Sequence, residues 1–126
     1  MLVYIAYRFN DVDAGKVLAN IGIGHLVAYE FIKRGDYPYI PHADYQMAIM
    51  FGKHLSLDYY YASTMAFLEK CDAIAIVVDG QPLSKGVVAE MKRAIELKKM
   101  IYRAYVNTAT GHVIIEEWKD PCVPAS

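Results

Sequence analysis

The apolar run at positions 73–78, Ala-Ile-Ala-Ile-Val-Val, constrains the fold of this 126-residue chain more than any other feature. Its apolarity is continuous rather than alternating, which is typical of a strand covered on both faces, as in a parallel sheet. Two other short runs rich in β-branched and aromatic residues, Leu2–Ala6 and Met100–Val106, are also predicted to be strands. We therefore expect a sheet with helices on both sides.

The first helix is predicted from its capping residues. Asp11 and Asp13 are placed to cap a helix that runs to about Arg34, and Gly35 stops it. Glycines weaken a helix interior, so the two glycines at 22 and 24 predict a kink or a split in its middle.

The remaining elements follow from proline positions, capping signals and turn signals. Prolines cannot donate hydrogen bonds to a central ladder, so the strand that contains Pro38 and Pro41 belongs at an edge. The predicted elements are an edge strand at 37–41, one or two helices within 45–70, a helix at about 84–99, and a closing pair of strands at 101–106 and 112–116 that flank Gly111.

This order of elements predicts one α/β domain over residues 1–119, followed by an irregular tail at 120–126. Right-handed crossovers favour a flavodoxin-like three-layer sandwich with a mainly parallel five-stranded sheet. Hydrophobic residues make up 56% of the chain and charged residues only 21%, a composition typical of a folded domain and not of a disordered chain.

Charge and cysteine usage exclude several classes of partner. The formal net charge of -1 provides no basic field, so we expect no nucleic acid polymer as partner. Cys71 and Cys122 lack metal-ligand spacing, so we expect no metal site and a reducing, cytoplasmic compartment. No apolar stretch reaches the roughly 18 to 20 residues of a membrane span, so we expect no membrane partner. The segment Gly22-Ile23-Gly24-His25 lacks the third glycine of a dinucleotide fingerprint, and we expect no cofactor.

Ligands of open parallel sheets bind beyond the carboxyl ends of the strands. Asp79 follows the central strand and is predicted at that edge, whereas Asp72 precedes the strand and is predicted at the opposite end with a structural role. Ser84 is a good helix cap and Gly86 permits close backbone approach, so this helix start suits an anion or a sugar hydroxyl. Most such starts are only caps, and both interpretations stay open here.

Other residues that can reach this edge are a histidine and a tyrosine cluster. His42 follows the predicted edge strand and is a candidate contact for a base or a sugar. The cluster at 59–61, Tyr-Tyr-Tyr, suits either a pocket or an interface.

Glu90 stands out in the last predicted helix. At about 100° per residue it lies between Ala94 and Leu97, inside the apolar arc of that helix. A carboxylate directed into a core-facing surface is costly unless it is paired or lines a cavity. It is therefore either a nucleophile or general acid/base, or a residue at the margin of the arc that bonds to a tyrosine or to solvent.

Several segments in order resemble the nucleoside 2-deoxyribosyltransferase superfamily, which includes 2'-deoxynucleoside 5'-monophosphate N-glycosidases. The segments, from residue 2 to about 101, are Val3-Tyr4-Ile5-Ala6, Pro38-Tyr39-Ile40-Pro41-His42, Cys71-Asp72-Ala73-Ile74, Val78-Asp79-Gly80 and Ser84-x-Gly86-x-x-x-Glu90. The resemblance implies a flavodoxin-like homodimer or larger homo-oligomer that cleaves the N-glycosidic bond of a nucleoside or nucleotide.

The resemblance also implies roles for individual residues. Glu90 matches the nucleophile that attacks C1' and forms a glycosyl-enzyme ester, and Tyr4 matches a strand tyrosine that orients it. Ser84 stands where the family's transferases for free nucleosides tend to carry Asp. A serine there favours a 5'-phosphate and hydrolysis, and Arg8 is a candidate phosphate contact.

The sequence departs from the family at two places. Tyr7-Arg8-Phe9 replaces a loop that usually contains glycine, and Thr64 stands where the family has an aspartate that helps the base to leave. The nearest upstream acid is Asp58. These departures support an alternative, a module on the same fold that binds or senses a nucleotide without cleaving it.

Overall fold

The computed structural model describes residues 1–9, 13–41, 50–51 and 56–123. The elements with described bounds alternate between strand and helix until a final pair of strands, and residues 50–51 are also helical. The elements are β1 (Leu2–Ala6), α1 (Ala14–Lys33), β2 (Tyr37–Tyr39), α2 (Leu57–Lys70), β3 (Ala73–Val77), α3 (Lys85–Glu96), β4 (Met100–Val106) and β5 (Val113–Glu117).

The five strands form one open sheet in the order β2-β1-β3-β4-β5. The pairs β1–β2, β1–β3 and β3–β4 are parallel, whereas β4 and β5 are antiparallel. The α/β class and the edge position of β2 are confirmed, but the prediction of a mainly parallel sheet is corrected to a mixed one.

A tight turn causes the reversal between β4 and β5. The side chain of Asn107 accepts hydrogen bonds from the backbone N–H groups of Ala109 and Thr110, at 3.0 and 3.3 Å. Gly111 has a φ of 76°, which favours glycine. A connection this short closes a hairpin and cannot make the crossover that a parallel strand needs. The predicted closing pair of strands is thus confirmed.

Helices cover both faces of the sheet. The α1 face is the side on which α1 packs, and the α2/α3 face is the opposite side. The buried core residues of the α1 face are Val3, Ile5, Val27, Ala28, Phe31, Ala73, Ala75, Val77, Ala104 and Val113. Those of the α2/α3 face are Tyr4, Ala6, Leu68, Cys71, Ile74, Ile76, Val87, Met91, Ala94 and Ile101.

The central strand β3 is buried at all five positions, which confirms the prediction of a strand covered on both faces. Its residues alternate between the two cores, as strand geometry requires. Beside it, β1 directs Val3 and Ile5 to the α1 face, and Tyr4 and Ala6 to the α2/α3 face.

The first helix is continuous from Ala14 to Lys33, so the glycines at 22 and 24 do not split it. Asp13 caps it by accepting a hydrogen bond from the N–H of Gly15 at 2.8 Å, and Gly35, with a φ of 88°, follows its end. Gly24 is buried against Ile40, so packing outweighs its weak helix propensity. Asp11 lies outside the described residues.

The last two helices both start at serine caps. Ser56 Oγ accepts from the N–H of Tyr59 at 3.1 Å, and Ser84 Oγ accepts from that of Val87 at 3.3 Å.

Among the described residues, no helix combines the length and apolarity required to cross a membrane.

Candidate functional site

The carboxyl ends of β1 and β3 meet at one edge of the sheet, because these strands are parallel neighbours. β1 leads into residues 7–9, and β3 leads through the loop of Asp79 to the N-terminus of α3. The first turn of α3 has backbone N–H groups without helical partners, so this edge suits an anion.

Glu90 lies on the buried face of α3 with only 8% of its surface exposed. Among the residues that the structure describes, it is the one buried charged residue. Its position inside the apolar arc is therefore confirmed. Burial raises the pKa of the Glu90 carboxyl to about 7, although the interaction with the Tyr4 hydroxyl acts in the opposite direction.

Tyr4 lies in the protein interior next to this carboxyl and is not among the residues that line the cavity. Its side chain is fully buried in β1, and its hydroxyl makes no hydrogen bond of standard geometry. The hydroxyl interacts more loosely with Glu90 and Thr64, while burial, reinforced by the charge of Glu90, raises the pKa of Tyr4 well above its usual range. The sequence-predicted pair of Tyr4 and Glu90 is thus brought together.

A cavity of about 460 Å³ opens beside Glu90. Its wall includes the start of α3, the loop after β1 and one side of α2. The lining residues are Tyr7, Phe9, Tyr60, Tyr61, Thr64, Met65, Ser84, Lys85, Gly86, Val87, Ala89 and Glu90. Of the predicted site residues, Ser84, Gly86 and Glu90 line this one cavity.

The sequence predicted only part of the aromatic wall of the cavity, which consists of Tyr7, Phe9, Tyr60 and Tyr61. The tyrosine cluster suggested a pocket or an interface. Tyr60 and Tyr61 line the cavity and Tyr59 does not, although Tyr59 and Tyr61 are similarly exposed, at 51% and 54%. Helical spacing could have separated them, since Tyr60 and Thr64 lie one turn apart on α2. Phe9 and Met65 carried no sequence signal for a site.

Arg8 and Asp79 are brought together at the same edge, but as partners of each other. Arg8 Nη2 lies 3.0 Å from Asp79 Oδ1 and donates to the carbonyl of Pro82 at 3.0 Å. Asp79 also accepts from the Tyr7 hydroxyl and from the N–H of Gln81, both at 3.0 Å. Burial, together with the nearby Asp79 carboxylate, raises the pKa of the Tyr7 hydroxyl to about 12. We call this network the loop latch, because it ties the loop after β1 to the loop after β3.

Neither Arg8 nor Asp79 lines the cavity of Glu90. His42 lies outside the described residues. Asp72 lies at the opposite end of the sheet, as predicted, where its side chain accepts a hydrogen bond from the N–H of Leu2 at 2.8 Å.

Thr64 and Asp58 differ in their relation to the cavity. Thr64 lines it, and its hydroxyl donates to the carbonyl of Tyr61 at 3.1 Å. Asp58 is exposed in the first turn of α2 and is not among the lining residues.

Within the described ranges no group of three His, Cys, Asp or Glu side chains is placed to hold a metal ion.

Comparison with protein-family models and with curated proteins finds no match to this chain.

Proposed function

We propose that this protein cleaves the N-glycosidic bond of a nucleoside or nucleotide, preferring 5'-monophosphates, with Glu90 as the nucleophile. One observation carries the proposal: a carboxyl only 8% exposed lies in the wall of a cavity that begins at a helix N-terminus. A desolvated carboxyl beside an anion-binding position suits covalent catalysis at a sugar that bears a phosphate.

The fold supports this proposal. We infer a flavodoxin-like winding, because the strand order β2-β1-β3-β4-β5 is the order of that fold. Its last strand is reversed here. The reaction type comes from the resemblance to nucleoside 2-deoxyribosyltransferases.

In the proposed reaction, the ionised carboxylate of Glu90 attacks C1' of the sugar. The C1'–N bond breaks, its electron pair passes to the base, and a glycosyl ester forms on Glu90. Water then cleaves the ester. The proton that this water loses neutralises the base that was released in the first step. Tyr4 acts as a positioning residue by holding the carboxyl from behind.

The two ends of the cavity suit the two ends of a nucleotide. The phosphate binds at the start of α3, near the Lys85 ammonium and the N–H groups around Ser84 and Gly86. The base lies against the aromatic wall formed by Tyr60 and Tyr61.

The test is chromatographic detection of free base from a panel of nucleosides and their 5'-monophosphates. Glu90→Gln is expected to lower base release more than about 1000-fold, because it removes the nucleophile. The matched control is Glu96→Gln, on the exposed side of the same helix, which should retain activity. Equal release by wild type and Glu90→Gln contradicts the proposal.

A second variant tests the phosphate preference. Ser84→Asp places a carboxylate at the start of α3, where it repels a phosphate but can accept a hydrogen bond from a free 5'-hydroxyl. We expect it to lower the ratio of monophosphate to nucleoside turnover at least tenfold. An unchanged ratio would contradict the assignment of Ser84 to the 5' end.

A binding module is the second candidate function, and Thr64 favours it. Its hydroxyl proton is donated to the Tyr61 carbonyl, and Glu90 is the one carboxylate among the described lining residues. A dedicated acid for the leaving base is thus missing from that set. Monophosphates that raise the melting temperature but are recovered intact would favour this function over catalysis.

We also propose that the protein acts in the cytoplasm as a homodimer or larger homo-oligomer, with a small-molecule substrate and no cofactor. Both cysteines are free, the state expected in a reducing compartment. The homo-oligomer is what the family resemblance implies.

A further inference from the structure

Both oxygens of the Asp79 carboxylate are engaged within the loop latch. Oδ2 accepts from the Tyr7 hydroxyl, and Oδ1 accepts from Arg8 Nη2 and from the N–H of Gln81, each at 3.0 Å. The bond to Gln81 folds the loop after β3 into an Asx turn, in which Gly80 has a φ of 82°. This turn fixes the carboxylate, which in turn holds two side chains of the loop after β1.

Tyr7 joins the latch to the cavity of Glu90. Its side chain lines the cavity, as does that of Phe9, whereas Asp79 does not. The Arg8 guanidinium lies 6.0 Å from the centroid of the Tyr7 ring, within the range of a cation–π contact. The latch thus holds this side chain at its hydroxyl and at its ring. The place of the ring in the wall depends on a carboxylate outside the cavity.

The latch also holds a second part of the same wall. Arg8 donates to the carbonyl of Pro82 at 3.0 Å, and Pro82 lies two residues before the Ser84 cap of α3. Ser84 itself lines the cavity. The loop after β1 and the start of α3 are therefore fixed relative to each other by one network.

We propose that Asp79 is a positioning residue, which sets the affinity of the cavity for its ligand by holding Tyr7 in the wall and does not itself touch the ligand. The ligand, a nucleoside 5'-monophosphate, is taken from the proposed function, and the proposal rests on that function to this extent. The segment Tyr7-Arg8-Phe9 is where the sequence departs from the resembled family, so the resemblance assigns it no such role. The latch acts on binding and leaves the attack by Glu90 unchanged.

Two substitutions break the contact between Asp79 and Tyr7 from opposite sides. Tyr7→Phe removes the hydroxyl and keeps the ring. Asp79→Ser keeps an oxygen that accepts from the N–H of Gln81, but this side chain is too short to reach Tyr7. Each variant is expected to raise KM for base release about tenfold with kcat unchanged, because the ring loses its tether while Glu90 keeps its place.

The double variant separates a positioning role from direct contact with the ligand. If Asp79 acts through Tyr7, the KM of the double variant stays close to that of either single variant, whereas two independent contacts would raise it about a hundredfold. The matched control is Tyr105→Phe, which removes a hydroxyl that donates to Glu116 at 3.3 Å, outside the cavity lining, and should leave KM unchanged. An unchanged KM in Tyr7→Phe, a multiplied effect in the double variant, or a fall in kcat alone overturns the proposal.

Thiol labelling tests the hold on the wall without a nucleotide. Thr64→Cys in a Cys122→Ser background places a thiol in the cavity, and the background protein alone gives the contribution of the buried Cys71. Adding Tyr7→Phe should speed the reaction with a bulky maleimide about fivefold, because the wall opens more often. Adding Tyr105→Phe should not change the rate. Equal rates with and without Tyr7→Phe overturn the proposal.

The results distinguish a failure of this proposal from a failure of the proposed function. If wild type releases no base, the cycle is repeated with the Kd of the monophosphate, measured by calorimetry. Binding that weakens in the same pattern then supports the positioning role and rejects catalysis. Binding that is equal in all variants overturns the positioning role alone, and a wild type that neither cleaves nor binds monophosphates overturns both.

Discussion

The two faces of the sheet bury different chemistry. On the α1 face, the buried core residues are all apolar. On the α2/α3 face, the core contains Tyr4 and lies beside the buried carboxyl of Glu90. The same strands supply both faces, because alternate residues of β1 and β3 point to opposite sides.

This difference separates folding from function. A core without titratable groups stabilises the protein equally over a wide range of pH. A buried carboxyl instead costs stability wherever the unfolded chain would be ionised, and a protein retains it where the group has a task. The α2/α3 face is thus the face on which the buried carboxyl of the candidate site costs stability.

The largest expected effect is on the α1 face. Phe31 is 1% exposed and packs edge-on against Tyr102, with ring centroids 5.6 Å apart. Phe31→Ala should lower the free energy of unfolding by about 3–5 kcal/mol, because it leaves a cavity. Urea denaturation at pH 5 and pH 8 should give the same loss.

The control for this variant is Ile114→Ala, at a residue that is 53% exposed on β5, which should cost less than about 1 kcal/mol. A loss for Phe31→Ala that changes strongly with pH would remove the distinction between the two faces.

On the α2/α3 face, Glu90→Gln should make the protein more stable at high pH. The carboxyl has a pKa raised from 4.5 to about 7, so folding opposes its ionisation. Below pH 4.5 both states are protonated and nothing is lost. As pH rises from 4.5 to about 7, the free energy of unfolding of wild type falls by about 3 kcal/mol in total. Above about pH 7 it is constant.

The measurement is the difference in unfolding free energy between Glu90→Gln and wild type at pH 4, 6 and 8. It should shift in favour of Gln as pH rises. A difference that stays flat would mean that Glu90 titrates like an exposed carboxyl.

A smaller effect is expected when the hydroxyl of Tyr4 is removed. The interaction of this hydroxyl with Glu90 lowers the pKa of the carboxyl, so Tyr4→Phe should raise that pKa further. In the proposed reaction, base release needs the ionised carboxylate and should increase with pH through about 7 in wild type. The variant should shift this limb to higher pH.

Tyr102→Phe makes the same change on the other face, where the hydroxyl only approaches the sulfur of Met100 at 4.0 Å. Its pH profile should match that of wild type. Coincident profiles for Tyr4→Phe and wild type would argue against Tyr4 as a positioning residue.

The smallest effect is expected in the loop latch. Arg8 and Asp79 are about one-third exposed, at 31% and 30%, so solvent screens their attraction. Arg8→Gln should cost at most about 1 kcal/mol, and less in 1 M salt. A loss of several kcal/mol, measured by urea denaturation at low and high salt, would show that the latch is a main element of the fold.

Local patterns predicted the framework of the molecule well. The continuous apolar run identified β3, Gly35 marked the end of α1, and Ser84 marked the start of α3. Each of these signals lies within a few residues of the structure that it determines. The burial of Glu90 was predictable for the same reason, since helical periodicity alone places it in the apolar arc.

Contacts between distant segments were not predictable from residue patterns, and the pair of Tyr4 and Glu90 was expected only from the family resemblance. Arg8 and Asp79 were expected to face a ligand, but they are 71 residues apart and pair with each other. The cavity likewise forms only where α2 meets α3 and the loop after β1. No periodicity in the sequence records such meetings, because they depend on how the elements pack.

The most direct test of the account is to trap the glycosyl ester on Glu90. Nucleoside 5'-monophosphates with fluorine at C2' of the sugar should react slowly, because fluorine destabilises the positively charged transition state of both steps. Mass spectrometry of the intact protein, and then of its peptides, is expected to find the sugar phosphate on the peptide that contains Glu90. Release of base from normal substrates without any such adduct, or an adduct on another residue, would contradict Glu90 as the nucleophile.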